Sequence, residues 1–297
     1  MRNALNAITD ELRRLKACGV ERVAVSEAGL DALRRSVGGR PAGSGKVTAP
    51  AGAPPAASAA AAPAPAAPSA PAPAAADVPP VVVIPEGDKA ARWAAVRQQV
   101  LDDPVCRSKV RPGRKIVLGV GSLDAAIMFV GEAPGAEEEV QGDPFVGPAG
   151  QLLNRMIGGM GLSRSEVYIG NIMNWRPDLP AGPEGAQTGN RPPTEGEMAH
   201  CLPYLRAQVE IVNPRLLVAL GATAAKALLG WRSFSALGEV RGRWHDLGGR
   251  PLMVTYHPSY ILRNPTNRTK RLIWEDLLKV MERANIPISE KQRGFFL

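Results

Sequence analysis

The stretch AAIMFVGEAPG, Ala125–Gly135, decides the fold. Its first half is a short run of apolar residues, and its second half is a turn rich in Gly and Pro. A run that is apolar at every position suits a strand buried on both faces, which is typical of a parallel sheet covered by helices. Ligands of such sheets bind beyond the carboxyl ends of the strands, so Glu132 in the turn lies where a site is expected.

Three more short apolar runs follow, at Val167–Ile172, Leu216–Leu220 and Leu252–Tyr256. Helical patterns alternate with these runs, at Lys89–Leu101, Ala149–Met160, Thr194–Val212, Ala222–Leu229 and about Thr269–Arg283. Strands that alternate with helices predict the α/β class. We expect a three-layer α/β/α sandwich with a central, mainly parallel, four-stranded sheet.

The chain divides by composition into three parts. Residues 1–17 carry apolar side chains at helical spacing and predict a short amphipathic helix. Residues 18–88 are rich in Pro and Ala, with too few large apolar side chains to offset the entropy of folding, so they predict a disordered linker. Residues 89–297 form the compact domain. The N-terminal helix either packs on its own domain, packs on nothing, or serves as a docking segment for a protein partner on a long tether.

The overall charge and the cysteine count narrow the class of protein. The formal net charge is +8 and the sequence pI is about 9.7, which favours a polyanion partner such as nucleic acid. Three cysteines are too few for a disulfide framework or a four-cysteine metal site, so we expect free thiols. No apolar run reaches the ~18 residues that span a bilayer, and the N-terminus lacks a signal peptide's apolar stretch. These features predict a cytoplasmic protein without a membrane partner.

Three predicted strands deliver a carboxylate (Glu132), an amide (Asn171) and an imidazole (His257) to one edge, and together these suit a flat polar ring. Phe145, in the turn PFVG, either places an aromatic side chain beside the first of these strand ends or packs in the core. Asn171 ends the second strand and offers a donor and an acceptor, which match the N3–H and O4 edge of a pyrimidine. His257 ends the fourth strand, just before a proline, and is expected to face the same crevice. His200 and His245 are instead expected at the surface.

Five segments carry a resemblance to a known family. They are GEAPGAEEEVQGDPFVGPAGQLLNRMI (Gly131–Ile157), VYIGNIMNWRP (Val167–Pro177), GNRPPTEGEMAHCLPYL (Gly189–Leu205), PRLLVALGATAAKALLG (Pro214–Gly230) and HPSYILR (His257–Arg263). In order and spacing the chain resembles the family 4 uracil-DNA glycosylases from about Val117 to Met281. The N-terminal ninety residues lie outside this resemblance.

The resemblance implies a role for nine positions. It assigns catalysis to Glu132, Glu138 and His257, substrate binding to Ala133, Phe145 and Asn171, and DNA contacts to Ser259, Tyr260 and Arg263. In the family, the aromatic side chain stacks on the flipped uracil, the amide reads its edge and the imidazole contacts O2. The acids help to hold the attacking water, and the stretch after the histidine enters the duplex where the base has left. Hydrogen-bond donors that face the developing anion on uracil would strengthen in the transition state.

The chain departs from the family at the iron–sulfur cluster. Family members similar to this sequence hold a four-iron, four-sulfur cluster with four cysteines. Cys106 and Cys201 match two of those positions, whereas Asp103 and Trp175 stand at the other two. Because ligation needs thiolate at nearly all positions, we expect no cluster, no metal and no other cofactor. Trp175 is expected to pack where the cluster would sit.

The resemblance implies a monofunctional uracil-DNA glycosylase that acts as a monomer on uracil-containing DNA and leaves an abasic site, initiating base excision repair. The alternative is a protein of the same superfamily that binds uracil-containing or single-stranded DNA without turnover. One such subgroup carries a basic KRRIH-type insert with a reactive histidine. The loop Leu179–Asn190 contains no such string and is rich in Gly, Pro and Ala. In a third interpretation the N-terminal arm recruits the chain to a replication or repair protein.

Overall fold

The computed structural model describes residues 79–178 and 189–297. The predicted N-terminal helix, all but the end of the predicted linker, and most of the loop after Asp178 lie outside the described residues. No helix in the described part of the chain combines the length and the apolar character needed to cross a membrane.

Helices and strands alternate along the described chain. The helices are α1 (Lys89–Asp102), α2 (Pro104–Lys109), α3 (Glu138–Gln141), α4 (Pro148–Gly159), α5 (Glu195–Val212), α6 (Ala222–Leu229), α7 (Pro258–Arg263), α8 (Asn267–Ala284) and α9 (Glu290–Arg293), with a 3-10 turn at Leu237–Glu239. The strands are β1 (Val120–Gly121), β2 (Ile127–Gly131), β3 (Tyr168–Asn171), β4 (Leu216–Leu220), β5 (Trp244–Leu247) and β6 (Arg250–Thr255). The five predicted helices and four predicted strands are all present, with small shifts at their ends.

The strands form one sheet in the order β1-β3-β2-β4-β6-β5. The four central strands are parallel, as predicted, and the two edge strands run antiparallel to their neighbours. The sheet is therefore two strands wider than expected. Its register places Gly131 of β2 beside Asn171 of β3, so the carboxyl ends of these two strands meet at one edge.

Alternate residues of each central strand enter two separate apolar clusters. On β2, Met128 and Val130 pack with side chains of α1, α2, α5 and α6. Ile127 and Phe129, on the opposite face, pack with side chains of α4, α7 and α8. Because both faces of the sheet are covered, every residue of β2 is buried, which explains the uninterrupted apolar run. The predicted three-layer α/β/α sandwich is confirmed.

The packed region begins ahead of the predicted boundary at residue 88. Val82 and Ile84 pack against a small apolar cluster that contains Val96 of α1. The Gln99 side chain donates to the carbonyl oxygen of Val83 (2.6 Å) and accepts from its N–H (2.9 Å). These contacts place the last residues of the predicted linker with the folded domain.

Candidate active site

A cavity of about 770 Å³ opens at the carboxyl edge of the parallel strands. Its lining includes all nine residues assigned from the sequence, namely Glu132, Ala133, Glu138, Phe145, Asn171, His257, Ser259, Tyr260 and Arg263. They come from three segments that are far apart in the chain, namely 132–145, residue 171 and 257–263. The parallel topology brings them together because β2, β3 and β6 all end at this edge.

Phe145 lies beside both His257 and Asn171. The ring centroids of Phe145 and His257 lie 5.6 Å apart, with an angle of 30° between the planes. A Cβ atom built on Gly131 would overlap both the Phe145 ring and the Oδ1 atom of Asn171. The glycine that ends β2 therefore gives the ring and the amide room to lie side by side.

Asn171 carries a buried polar atom without a partner. The residue is 6% exposed, and its Oδ1 atom accepts no hydrogen bond from any described residue. Buried side-chain oxygens are nearly always paired in folded proteins, because an unpaired one costs about 1–3 kcal/mol. An acceptor left open on a cavity is explained by a ligand that brings its own N–H.

His257 presents one ring nitrogen to the backbone, and the other ring nitrogen has no hydrogen-bond partner among the described residues. The Ser259 N–H donates to Nδ1 (3.1 Å), and the Ser259 hydroxyl lies 2.8 Å from the same atom. Nδ1 is thus an acceptor, which places the proton of a neutral ring on Nε2. Burial lowers the pKa of His257 to about 4, and the positive charge of Arg263 acts in the same direction. The ring is therefore a neutral Nε2–H donor at physiological pH.

Glu132 lies half-buried in the turn after β2. Burial raises its pKa above the usual value, and the Thr223 hydroxyl and the charge of Arg263 partly oppose the shift. A carboxylate with a raised pKa is a better proton acceptor near neutral pH than an ordinary glutamate. Thr223, which also lines the cavity, was not predicted. The signal that was available is its place just after the strand Leu216–Leu220.

Glu138 is tied to the backbone around it. Its two carboxylate oxygens accept hydrogen bonds from the N–H groups of Gly135 (3.1 Å), Val146 (3.2 Å) and Gly147 (3.2 Å). A carboxylate that joins both ends of the loop between β2 and α4 holds the loop in shape. This geometry suits a positioning role better than direct contact with a water molecule.

The backbone of Phe145 has a left-handed conformation, with φ of 53°. Such a conformation is uncommon for a bulky residue and needs support from its surroundings. Arg164 supplies part of that support, because its guanidinium donates to the carbonyl oxygens of Phe145 (3.3 Å) and Pro144. Nothing in the sequence indicated Arg164, since it acts across a gap of nineteen residues.

The stretch after His257 forms α7 at the mouth of the cavity. Tyr260 stacks on Tyr256, with ring centroids 4.4 Å apart. Arg263 is exposed and donates to the Ser259 hydroxyl (3.1 Å). Between them Leu262 is 44% exposed, which is unusual for a large apolar residue in this structure. The helix thus offers an aromatic, an aliphatic and a cationic side chain to a partner.

A second groove, of about 560 Å³, is lined by residues of α1, of the stretch from Arg107 to Ile116 and of the loop Gln141–Asp143. Its cationic residues, which together we call the basic groove, are Arg97, Arg107, Arg111, Arg114 and Lys115. Arg111 pairs with the buried carboxylate of Glu139, which also pairs with Arg176 (2.9 Å). The remaining charges favour an extended polyanion on this surface.

A third group of polar residues is buried between α2 and α5. Asp103 caps α2, and its Oδ2 atom lies 3.0 Å from Nε2 of His200 and 2.7 Å from the hydroxyl of Tyr204. Cys106 and Cys201 are fully buried beside each other. The expectation that His200 lies at the surface is wrong, because the residue is only 6% exposed and bonded to Asp103. His245 lies half-buried on edge strand β5.

The same group tests the fit of an iron–sulfur cluster. Two thiols are present, and Trp175, at the third cluster position, is 1% exposed and packs in the same apolar cluster as both cysteines. A four-iron cluster is held by four thiolates. The residues at this place in the fold therefore do not suit a four-iron cluster.

Comparisons with known proteins identify the family to which the chain belongs. The family profile described as "Uracil DNA glycosylase superfamily" matches residues 118–278. A type-4 uracil-DNA glycosylase of Thermotoga maritima is 44% identical over 165 residues, which cover 55% of this chain and 80% of that protein. A type-4 uracil-DNA glycosylase of Pyrobaculum aerophilum is 40% identical over 52% of this chain and 77% of that protein. Another, of Saccharolobus solfataricus, is 39% identical over 57% of this chain and 76% of that protein. The chain thus belongs to the type-4 uracil-DNA glycosylases of the uracil-DNA glycosylase superfamily.

Proposed function

We infer that this protein is a uracil-DNA glycosylase, which flips uracil out of DNA and hydrolyses its N-glycosidic bond to leave an abasic site. The observation that carries the inference is the unpartnered, buried Oδ1 atom of Asn171, beside Phe145 at a cavity that His257 also lines. An abasic site in DNA is the starting point of base excision repair. We assign four steps to different residues: recognition of the base, its departure, attack on the sugar and DNA binding.

Base recognition falls to Asn171 and Phe145. The Oδ1 atom of Asn171 accepts from uracil N3–H, and its Nδ2 group donates to O4. Cytosine has no proton on N3, so it would leave Oδ1 unpaired. The Phe145 ring stacks on the extruded base, as aromatic side chains commonly do in base-flipping enzymes.

Departure of the base falls to His257. When the bond between N1 of uracil and C1′ of the sugar breaks, its electron pair leaves with uracil, and negative charge spreads to O2. The Nε2–H group of His257 donates to O2. A neutral donor already oriented toward developing charge stabilises the transition state without any proton transfer.

Attack on the sugar falls to a water molecule held by Glu132. The water oxygen bonds to C1′ while positive charge builds on the sugar, and the carboxylate of Glu132 takes the proton. The negative charge of the carboxylate also stabilises that positive charge. Glu138 contributes indirectly by fixing the loop that carries Phe145. All of these steps use side chains of the chain itself, and we propose no cofactor for the chemistry.

DNA binding falls to α7 and the basic groove. Arg263 and Ser259 meet phosphate, while Tyr260 and Leu262 fill the space left by the flipped nucleotide. Extrusion costs a few kcal/mol and is easiest where uracil is mispaired or unpaired. We propose that one chain acts alone, as a monomer in the cytoplasm, since a single chain supplies the whole cavity. Docking of residues 1–17 on a protein partner is a further proposal, based on the sequence.

Turnover tests the proposed function. The protein is incubated at low ratio with an oligonucleotide that contains one uracil, and abasic sites are then cleaved with alkali. Many strands cut per protein chain would support the enzyme. A stoichiometric complex, retained on a denaturing gel without further cleavage, would support the binding protein instead. Uncut DNA with excess protein would contradict the proposal.

A further inference from the structure

The buried group between α2 and α5 has the composition of a metal site. One donor atom from each of Asp103, Cys106 and His200 lies within 4.8 Å of the other two, and all three residues are buried. The Cys201 thiol lies beside that of Cys106 and is fully buried. Three donors, a carboxylate, a thiol and an imidazole, thus face one small region of the interior, and the Cys201 thiol lies at its edge, beside Cys106.

We propose that Asp103, Cys106 and His200 bind a single divalent cation, for which zinc is the best match, and that the neighbouring Cys201 is its fourth ligand. Zinc takes four ligands in a tetrahedron and accepts thiolate, imidazole and carboxylate together. Bond lengths of about 2.0–2.3 Å place tetrahedral donors about 3.3–3.8 Å apart, so the first three donors need a small contraction, whereas the Cys201 thiol must also move toward them to complete the shell. A mixed set with two thiolates is too soft for magnesium or calcium.

The surroundings suit such a centre. Tyr204 donates to Asp103 and would orient the carboxylate, as outer hydrogen bonds do in metal sites. One ring nitrogen of His200, Nδ1, is buried and has no partner among the described residues, so the imidazole has a nitrogen available for a ligand.

The ion would join two separate elements. Asp103 and Cys106 belong to the start of α2, and His200 and Cys201 lie on α5, about a hundred residues later. The backbone N–H of Asn174, just after β3, also points to the Cys201 sulfur. The centre therefore has a structural role away from the base chemistry, and it is independent of the proposed function.

Metal content and cobalt spectroscopy test the proposal. Protein without an affinity tag is purified and assayed for zinc, iron and acid-labile sulfide; the metal is then removed by a chelator and cobalt is added. We expect one equivalent of zinc per chain, tetrahedral thiolate bands with cobalt, and a lower melting temperature after chelation. Folded protein that gives no zinc and no cobalt bands would overturn the proposal, and so would four irons with sulfide.

Variants identify the ligands. Cys106→Ser and His200→Asn should each abolish stoichiometric zinc retention and change the cobalt spectrum. Tyr204→Phe, which removes only the outer hydrogen bond, should weaken zinc binding about 10–100-fold. Cys18→Ser removes the chain's remaining cysteine and should retain one equivalent. Unchanged zinc in both ligand variants would overturn the assignment. If a ligand variant fails to fold, the wild-type cobalt spectrum still decides.

Discussion

The ring of Phe145 lies 5.6 Å from the ring of His257, although the two residues are more than a hundred positions apart. The two rings are tilted by 30°, and Asn171 approaches the same glycine as Phe145. The three groups to which we assign recognition of one base thus line one cavity. Their roles can be separated by substitution, by pH and by salt.

Removing either polar group should abolish chemistry and spare DNA binding. We expect Asn171→Ala and His257→Ala each to lower the single-turnover cleavage rate by about 10²–10³-fold, since each removes a donor aimed at developing charge. Affinity for uracil-free duplex, measured by fluorescence anisotropy, should stay nearly unchanged. His245→Ala is the matched control and should cleave at the wild-type rate. Equal losses of affinity and rate would contradict the assignment.

The pH dependence of the cleavage rate should show the ionisation of Glu132 and no ionisation of His257 near neutral pH. Because the Glu132 carboxylate must be ionised and its pKa is raised, cleavage should fall on the acid side at a pH above that of an ordinary glutamate. His257, with a pKa of about 4, should add no step near pH 6.5. Single-turnover rates between pH 4.5 and 9 measure both effects. A step near 6.5 that disappears in His257→Gln would argue against a neutral imidazole.

Stability should respond to the same two groups. Between pH 6.5 and about 4, the unfolded chain binds a proton at residue 257 that the folded chain excludes, so the free energy of unfolding falls as the pH falls. Glu132 acts in the opposite sense, because folding raises its pKa. The free energy of unfolding therefore falls as the pH rises from the pKa of Glu132 in the unfolded chain to its higher pKa in the folded chain. We therefore expect Glu132→Gln to be inactive yet more stable than wild type at pH 7. Urea denaturation at several pH values checks both signs.

We expect Glu138 to affect stability and substrate binding by holding the loop that carries Phe145 in its conformation. Glu138→Ala leaves three backbone N–H groups without their acceptor, and we expect a loss of about 1–3 kcal/mol in stability. Amide hydrogen exchange at Val146 and Gly147 should become faster, and KM should rise more than kcat falls. Glu137→Ala, at an exposed neighbour, is the control. Wild-type exchange rates in Glu138→Ala, with cleavage lost, would instead point to direct participation in the chemistry.

Gly131 should not tolerate a methyl group. In Gly131→Ala the new Cβ would overlap the Phe145 ring and the Asn171 amide, so we expect cleavage to be lost and stability to fall by about 1–3 kcal/mol. Gly158, near the end of α4, has open space around it. Gly158→Ala should leave cleavage unchanged and gain up to about 1 kcal/mol, because alanine favours the helix. Thermal unfolding and cleavage assays compare the pair.

Salt dependence should locate the DNA on the basic groove. Each phosphate contact removed should reduce the slope of log affinity against log salt by about 0.9 for duplex and about 0.7 for single strands. We expect Arg97→Gln with Arg107→Gln to lower the slope and raise KM, with kcat unchanged at saturating DNA. Lys291→Gln, on exposed helix α9, should behave as wild type. Wild-type slopes in the double variant would exclude the groove as a DNA path.

The central strands were predictable because burial on both faces leaves no polar position. The run Ile127–Gly131 shows this directly, and so do the runs that became β4 and β6. The edge strands were not predicted, because they are only partly buried. The strand β5, Trp244–Leu247, carries His and Asp and is only partly buried, while β1 has two residues. Short, half-exposed strands carry little hydrophobic signal.

The site was predictable where it follows strand ends and unpredictable where it depends on long-range contacts. Asn171 and His257 lie where parallel strands end, so topology alone brings them together. Arg164 acts through contacts that no local pattern encodes, whereas Thr223 was overlooked although it lies just after a predicted strand. His200 was misplaced because it sits among polar residues of α5, and its partner Asp103 is ninety-seven positions earlier.

The left-handed backbone of Phe145 has a consequence for how quickly the enzyme can commit to a base. A phenylalanine at φ of 53° carries about 1–3 kcal/mol of backbone strain. Hydrogen bonds from Arg164 and within the loop held by Glu138 stabilise this conformation in the folded protein. In the proposed function the ring that stacks on the base is therefore already in place when DNA arrives, so little ordering entropy is lost on encounter. A preformed platform lets the protein sample many nucleotides along a strand and reject the wrong ones without reshaping itself each time.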